Sequence, residues 1–225
     1  MERKQRGLDG FTLKLIAAFA MLCSHIYRAL LFSHKEFLIL DLFGRLSFPI
    51  FCFLLAEGFC YTKDRNAYLI RLWVFAVVSE IPFNLAFFGR MFAPEAQNVL
   101  FTMFTGLLVL WGMEKVGKMW RILPILAGMA CAYWLHMDYG FYGIWIIVLF
   151  GILQGMKKEL LYLQAGSQFC SVLLYGWIQI FSLLSLPLIY FYNGSRGRSW
   201  KYFFYLFYPL HLLLLVGIRL LCMQY

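Results

Sequence analysis

Two ionisable residues, Lys14 and His25, lie eleven positions apart inside the first long apolar stretch of the sequence. In an α-helix this interval makes three turns plus roughly 20°, so both side chains share one face, about 16 Å apart along the axis. An ionisable residue inside a membrane span is costly to bury and is by default a functional candidate. Because a neutral imidazole accepts a proton near neutral pH, we interpret His25 as a candidate general base at the inner end of a polar track.

The composition is that of a polytopic membrane protein. The 225 residues are 63% hydrophobic, 20% aromatic and only 14% charged, with a mean hydropathy of +0.74. Soluble domains have roughly 45–50% apolar and about 25% charged residues. We therefore predict an all-α transmembrane helical bundle that forms a single domain over residues 1–225. It would have about eight spans of about 20 residues, or nine if one long segment folds back on itself.

The net charge, the cysteines and the N-terminal segment narrow the class of protein further. The formal charge of +9 comes mostly from residues between spans, so orientation signals and anionic lipid headgroups account for it without a nucleic-acid partner. The six cysteines form no CxxC pair and are expected to be packing residues, and no metal site is expected. The start, Met1 to Arg6, imitates a signal peptide, but no convincing cleavage site follows, and we expect a retained first span.

Apolar runs and the breakers between them predict helices near residues 8–32, 41–61, 66–88, 98–114, 121–136, 140–156, 160–192 and 200–223. Alternate connections are basic, namely the N-terminus, 63–65, 114–121 and 157–159. The connections between these are poor in Lys and Arg. The positive-inside rule therefore predicts a cytoplasmic N-terminus. We expect a multi-pass protein of the inner (cytoplasmic) membrane.

The basic segment 193–201 breaks this alternation, because eight simple spans would place it outside. Two explanations are open. Residues 160–192 could form a hairpin or re-entrant pair broken near Gly166 and Ser167, which makes the segment cytoplasmic. Alternatively, the segment is external and its arginines have a role that overrides orientation. The first explanation is slightly favoured, since 33 residues are long for one untilted span.

Further polar residues lie within or beside the predicted spans. Arg45 and Glu80 fall in the outer halves of neighbouring antiparallel helices, and we expect them to form a structural ion pair. Glu57 is either paired with Lys63 or Arg65 or part of a cavity wall. Three residues could line a cavity or donate to a developing oxyanion, although capping, packing or a carbonyl bond would also explain them: Asn98, Thr102 and His211.

Seven blocks of the sequence resemble the TraX family, in the correct order and over nearly the whole chain: Leu13 to His25, Gly44 to Phe59, Phe75 to Phe87, Asn98 to Thr102, Asp138 to Gly140, Asn193 to Gly197 and Lys201 to Leu212. TraX proteins are integral membrane proteins associated with N-terminal acetylation of conjugative pilin. Lys14-x10-His25 also resembles the basic-x10-His signature of the wider membrane acyltransferase group. One position departs from the pattern: the family usually has Asp before this histidine, and here Ser24 stands there.

The resemblance implies an acetyltransferase that takes acetyl-CoA as its donor and a protein, sugar or lipid of the cell envelope as its acceptor. His25 would then be the base. The donor's phosphates would be held by basic residues, for which the candidates are Lys14, Arg71, Arg196 and Arg198. Two alternatives belong to other classes: a small transporter or channel and a non-enzymatic assembly factor. The transport path would be lined by Lys14, His25, Arg45 and Glu80.

Overall fold

The computed structural model describes residues 7–223 of the chain. Over these residues the fold is helical, with no β-strand and two isolated bridges, Leu8 to Tyr192 and Gln97 to Met137. The α-helices are α1 Gly10–Ile26, α2 Leu38–Gly44, α3 Ser47–Tyr61, α4 Arg65–Phe88, α5 Val99–Lys115, α6 Ile122–Trp134, α7 Gly140–Ile152, α8 Lys157–Tyr175, α9 Ser185–Tyr190 and α10 Lys201–Met223. A π-helical turn, Tyr27–Leu31, extends α1, and 3₁₀ segments occupy Lys35–Phe37, Lys118–Trp120 and Trp177–Leu184.

Side chains that cap the first turn explain where several helices begin. Asp9 accepts from the amide of Thr12, Asp64 from that of Ala67 and Asn98 from that of Leu100, which satisfies amides that have no partner within the helix. The predicted helix 41–61 is instead two helices that meet at Arg45 and Leu46. Pro49 lacks the N–H that would bond the carbonyl of residue 45, so a break at this point loses little.

The helices run between two ends of the molecule. At the end that we call basal, Leu8 pairs with Phe191 and Asn193, Arg65 pairs with Glu114, and Glu57 accepts from Gln154. At the opposite end, called distal, Gln97 pairs with His136 and Asp138, and the Tyr175 hydroxyl donates to the Tyr139 carbonyl. The basic connections within the described residues therefore gather at the basal end. Arg3, Lys4 and Arg6 lie outside the described residues.

The segment 160–192 is a hairpin, as the favoured explanation held, but it turns at a different place. Helix α8 runs unbroken through Gly166 and ends at Gly176, whose φ of 83° and ψ of 170° suit glycine. The chain then returns as a 3₁₀ segment and α9, and Lys157 Nζ lies 3.2 Å from the Tyr192 carbonyl oxygen. The loop 193–199 consequently lies at the basal end, where Gly10 donates to Ser195.

Buried amides and hydroxyls line the inside of this hairpin. On α8 they recur every three or four residues and on the 3₁₀ segment every three, which are the repeats that place side chains on one face. The members are Gln164, Gln168, Ser171, Gln179, Ser182 and Ser185, each no more than 1% exposed. Ser182 donates to the Gln168 side chain at 3.3 Å. Such polar contacts hold helices together where the surroundings are apolar.

Among the described residues, four helical segments are long and apolar enough to cross a membrane, and they are Gly10–Leu31, Lys35–Tyr61, Arg65–Phe88 and Tyr202–Cys222. Helices Gly140–Ile152 and Trp177–Tyr190 are apolar but shorter. Large apolar side chains also cover the outer surface of α10, including Leu210, Leu214 and Leu221. The protein is therefore an all-helical membrane protein, and the prediction of eight or nine spans and of a cytoplasmic N-terminus stays a prediction.

Candidate active site between α1, α4 and α10

His25, in the last turn of α1, contacts His211 of α10 beside the last turn of α4, so the pair lies in the distal half of the bundle. Nδ1 of His25 lies 2.7 Å from Nε2 of His211, and Nδ1 of His211 lies 2.6 Å from the carbonyl oxygen of Phe207. The planes of the two rings differ by only 4°, and the ring centroids are 5.0 Å apart. This separation is close to the 2.7 Å distance between the two nitrogens plus the distance from each ring centre to its nitrogen. The imidazoles therefore lie edge to edge in nearly one plane, which is the geometry of a direct hydrogen bond.

Aromatic rings enclose this histidine pair. Phe87 of α4 and Tyr208 of α10 meet the His25 ring edge-on at centroid distances of 5.3 and 6.0 Å, and Phe207 stacks on His211 at 4.8 Å. His211 is 5% exposed, whereas His25 keeps part of its surface accessible. The pair is thus enclosed at His211, while residue His25 is only partly buried.

Lys14 lies nearer the basal end on the same helix as His25, also against α10. Its ammonium is 5.8 Å from the centre of the Phe204 ring, and it lies close enough to Arg196 for the two cations to repel each other. On the next residue of α10, Tyr205 stacks on Phe75 and lies beside the guanidinium of Arg71. The Arg71 Nε is buried without a hydrogen-bond partner. An anionic ligand would relieve both features.

The structure places all four predicted phosphate-binding residues near the basal part of α1 and α10, Lys14 and Arg71 on helices and Arg196 and Arg198 on the loop before α10. Arg196 is exposed and donates to Ser199 at 3.2 Å, and its carbonyl approaches Gly10 at the start of α1. Arg198 lies exposed on the same loop. Together with Lys14 and Arg71, this loop gives the basal end of the bundle beside α1 and α10 a cluster of positive charges.

A buried carboxylate that the sequence analysis missed lies beside the turn of α1 that carries His25, in contact with Ser24 and Arg28. Asp41 of α2 is 4% exposed and accepts from Ser24 Oγ at 2.6 Å, Arg28 Nε at 3.0 Å and Arg45 Nη2 at 2.6 Å. A lone Asp in the apolar run Leu38 to Gly44, four residues before Arg45, was the signal that could have found it. Asp41 ties α1, α2 and the start of α3 together.

We expect Gly44→Ala to destabilise the protein by about 1–3 kcal/mol, because the contact of α2 with α1 has no room for another methyl group. A Cβ at Gly44 would overlap Ser24 and lie 3.2 Å from the Ala20 carbonyl oxygen. Thermal unfolding in detergent measures the effect. Gly166→Ala is the matched control, because its site is open and the change should be neutral or slightly stabilising. Equal unfolding of both variants would contradict the close packing at Gly44.

The expected ion pair between Arg45 and Glu80 is wrong. Arg45 is bound to Asp41, while Glu80 Oε2 accepts from the side-chain amide of Asn98 at 2.6 Å. Asn98 also donates to the Ala76 carbonyl at 2.9 Å. Asn98 thus has both amide hydrogens engaged and caps α5 rather than facing His25. Because each side chain is engaged locally, Arg45 and Glu80 do not join Lys14 and His25 along one path.

Thr102 likewise uses its hydroxyl within the protein, donating to the Asp138 carbonyl at the distal end. It is fully buried, so of the three oxyanion candidates only His211 contacts His25. Burial raises the pKa of the Asp138 carboxyl in this loop, and nearby Arg28, the Tyr139 amide and Arg45 partly oppose the rise.

Glu57 lines a cavity of about 370 Å³ at the basal end, between α3, α7, α8 and α9. It accepts from Gln154 at 3.1 Å, and its sequence-predicted partner Arg65 pairs with Glu114 instead. Glu57 is therefore part of a cavity wall, which was one of its two interpretations from the sequence. Neither Lys14 nor His25 lines this cavity. Within residues 7–223, no group of three or more His, Cys, Asp or Glu side chains is placed to hold a metal ion.

Comparison with known sequences places the chain in a family. The sequence matches the family described as TraX protein over residues 9–219. The chain belongs to the TraX family. The probable fimbrial assembly protein FimC, serogroup H1, of Dichelobacter nodosus is 32% identical over 247 aligned positions, covering 96% of this chain and 98% of that protein. No solved structure matches the chain. The resemblance indicated by the sequence motifs is thus confirmed.

Within the TraX pattern, the departure at Ser24 has a structural counterpart. The pattern implies a carboxylate immediately before the histidine, and in this chain Asp41 brings one to Ser24 from the neighbouring helix α2. The imidazole of His25 itself is held by His211. Asp41 and His211, both distant in sequence, therefore contact Ser24 and His25, where the family pattern would have Asp followed by His.

Proposed function

We propose that this protein is a membrane-embedded acetyltransferase that moves an acetyl group from acetyl-CoA to a hydroxyl or amine of a cell-envelope acceptor. The observation that carries the proposal is the 2.7 Å contact of His211 with His25, which holds an imidazole on the helix that also bears Lys14. TraX membership and the name of the Dichelobacter nodosus relative favour a pilus or fimbrial subunit as the acceptor. We propose its N-terminus as the site of acetylation, as the family resemblance implies. An envelope sugar or lipid is the alternative acceptor.

In this proposal His25 is the general base. It would take the proton from the acceptor's O–H or N–H as that atom bonds to the acetyl carbon, while the thioester C–S bond breaks and the thiolate leaves. The donor's phosphates would be bound by Lys14 and Arg71, with help from Arg196 and Arg198, since each charge-assisted contact strengthens anion binding. With the N-terminus in the cytoplasm, these basic residues at the basal end would face the cytoplasmic side of the inner membrane, where acetyl-CoA is available.

Lys14→Ala is expected to weaken acetyl-CoA binding by roughly 10- to 100-fold, because it removes one charged contact from the proposed phosphate site. Titration calorimetry on purified protein in nanodiscs measures the binding. Lys118→Ala is the matched control, since Lys118 is an exposed basic residue at the same end and should be neutral. Wild-type protein that binds acetyl-CoA no better than an unrelated membrane protein would overturn the acetyltransferase proposal.

A non-enzymatic role in pilus or fimbrial assembly is the second candidate, favoured by the name of the Dichelobacter nodosus relative. The two candidates differ in their need for His25. An assembly factor would support normal fibre formation with His25→Ala, whereas an acetyltransferase would leave the acceptor unmodified in that variant.

A further inference from the structure

We propose that His211 is the positioning residue for His25: it fixes the His25 tautomer with the lone pair on Nε2 and receives the His25 Nδ1 proton when Nε2 is protonated. This inference rests on the proposed function for its catalytic meaning, but its structural part can be tested without any activity. It assigns to His211 a role different from the two that the sequence left open, an oxyanion donor and a core histidine bonded to a carbonyl.

The carbonyl of Phe207 determines the tautomer of His211. A carbonyl oxygen can only accept, so the 2.6 Å contact requires a hydrogen on Nδ1 of His211. When His211 is neutral, its Nε2 then carries a lone pair and can only accept. The 2.7 Å contact must be supplied by a hydrogen on Nδ1 of His25. A neutral His25 therefore has its lone pair on Nε2, the nitrogen that is not bonded to His211.

The surroundings support this single arrangement. The two rings lie within 4° of one plane, which aligns the N–H of one with the lone pair of the other. Phe207 stacks on His211, while Phe87 and Tyr208 pack against the edges of His25, so neither ring can turn freely. The hydrogen bond is therefore made by rings whose orientation is already set by packing.

The same contact offers a path for the proton. When Nε2 of His25 accepts a proton from the acceptor, the Nδ1 proton can move along the hydrogen bond to Nε2 of His211. His25 is then neutral again with its hydrogen on Nε2, and His211 carries the positive charge beside the Phe207 carbonyl. One proton enters the pair and none is lost. A carbonyl dipole stabilises an imidazolium, although less than a carboxylate would.

Nuclear magnetic resonance of ¹⁵N-labelled histidine tests the structural part. The chain has only four histidines, and His34 and His136 are exposed. His34→Gln with His136→Asn would leave the pair alone, Asn being chosen because residue 136 has a φ of 49°. At neutral pH we expect both remaining rings to carry hydrogen on Nδ1, with a scalar coupling between Nδ1 of His25 and Nε2 of His211. A neutral His25 with hydrogen on Nε2, or no coupling, would overturn the proposal.

Kinetics test the catalytic part in the same nanodiscs. His211→Phe keeps a flat ring without an acceptor and should lower kcat roughly 10- to 100-fold with little change in KM for acetyl-CoA. His211→Gln can still accept from His25 Nδ1 through its side-chain oxygen but cannot take up the proton, so its kcat should fall between those of wild type and His211→Phe. Equal kcat for wild type and His211→Phe would show that His211 does not act on catalysis.

The two arms separate the failure of this inference from failure of the proposed function. If wild-type protein transfers no acetyl group, the acetyltransferase proposal fails, and the coupling still decides whether the hydrogen-bonded tautomer exists. If transfer occurs but the coupling is absent, only the role of His211 is refuted.

Discussion

His25→Ala is expected to lower the rate of acetyl transfer by about 100- to 10,000-fold while leaving the binding of acetyl-CoA largely unchanged. A positioned general base contributes rate enhancement of this size, and the proposed phosphate contacts lie nearer the basal end, at Lys14 and Arg71. The measurement is release of free CoA by purified protein in nanodiscs, with a peptide matching the pilin N-terminus as acceptor. Titration calorimetry on the same preparation gives the affinity.

His34→Ala is the matched control for this experiment. His34 is exposed at the distal end beside Glu36, so its removal should change neither rate nor affinity. A folded His25→Ala protein with wild-type turnover would exclude His25 as the base. A wild-type protein that binds the donor but shows no turnover, together with normal fibres in His25→Ala cells, would favour the assembly role.

Asp41→Asn is expected to destabilise the protein by about 3 kcal/mol. The carboxylate is 4% exposed, and its loss would leave the guanidinium of Arg45 in a poorly solvated site without its counter-charge. Breaking a buried ion pair typically costs roughly 3–5 kcal/mol, and we take the lower end because the Arg28 side chain is 39% exposed and can turn to solvent. For a chain of this length, the expected fall in Tm is about 6–12 °C.

Thermal unfolding at one scan rate, in the same nanodiscs, measures this effect. Glu95→Gln is the control, because it removes an exposed carboxylate paired with Arg90 and should change stability by less than about 1 kcal/mol. Adding Arg45→Leu to Asp41→Asn should recover part of the loss, since it removes the unpaired charge. A Tm unchanged by Asp41→Asn would show that Asp41 does not hold α1, α2 and α3 together.

Much of the helix pattern could be predicted because its signals are local. Predicted helix 98–114 corresponds to α5, Val99–Lys115, which begins after the cap at Asn98, and 66–88 corresponds to α4, which follows the cap at Asp64. The break after Gly44 was harder to predict, because an apolar run conceals whether a proline kinks a helix or begins a new one. The turn of the hairpin was placed ten residues too early, at Gly166 instead of Gly176, since several glycines and serines can end a helix.

The site residues could likewise be predicted where they share one helix but not where they lie on different helices. Lys14 and His25 could be identified together because they share one helix, whose period fixes their common face. Arg45 and Glu80 lie on different helices, and any charged residue at a similar depth was an equally good partner. Whether Arg45 pairs with Glu80 or with Asp41 depends on how α2 packs on α1. The spacing of residues along the sequence does not show that packing.

By itself, the sequence determined the membrane class, most of the helices, the family resemblance and the one helix face that carries Lys14 and His25. These follow from composition, periodicity and motif order, which are properties of neighbouring residues along the chain. Only the tertiary structure decided that His211 contacts His25 across 186 positions, that Asp41 reaches Ser24, and that the hairpin brings loop 193–199 to the basal end. These contacts depend on which helices become neighbours, and that is settled by packing of the whole bundle.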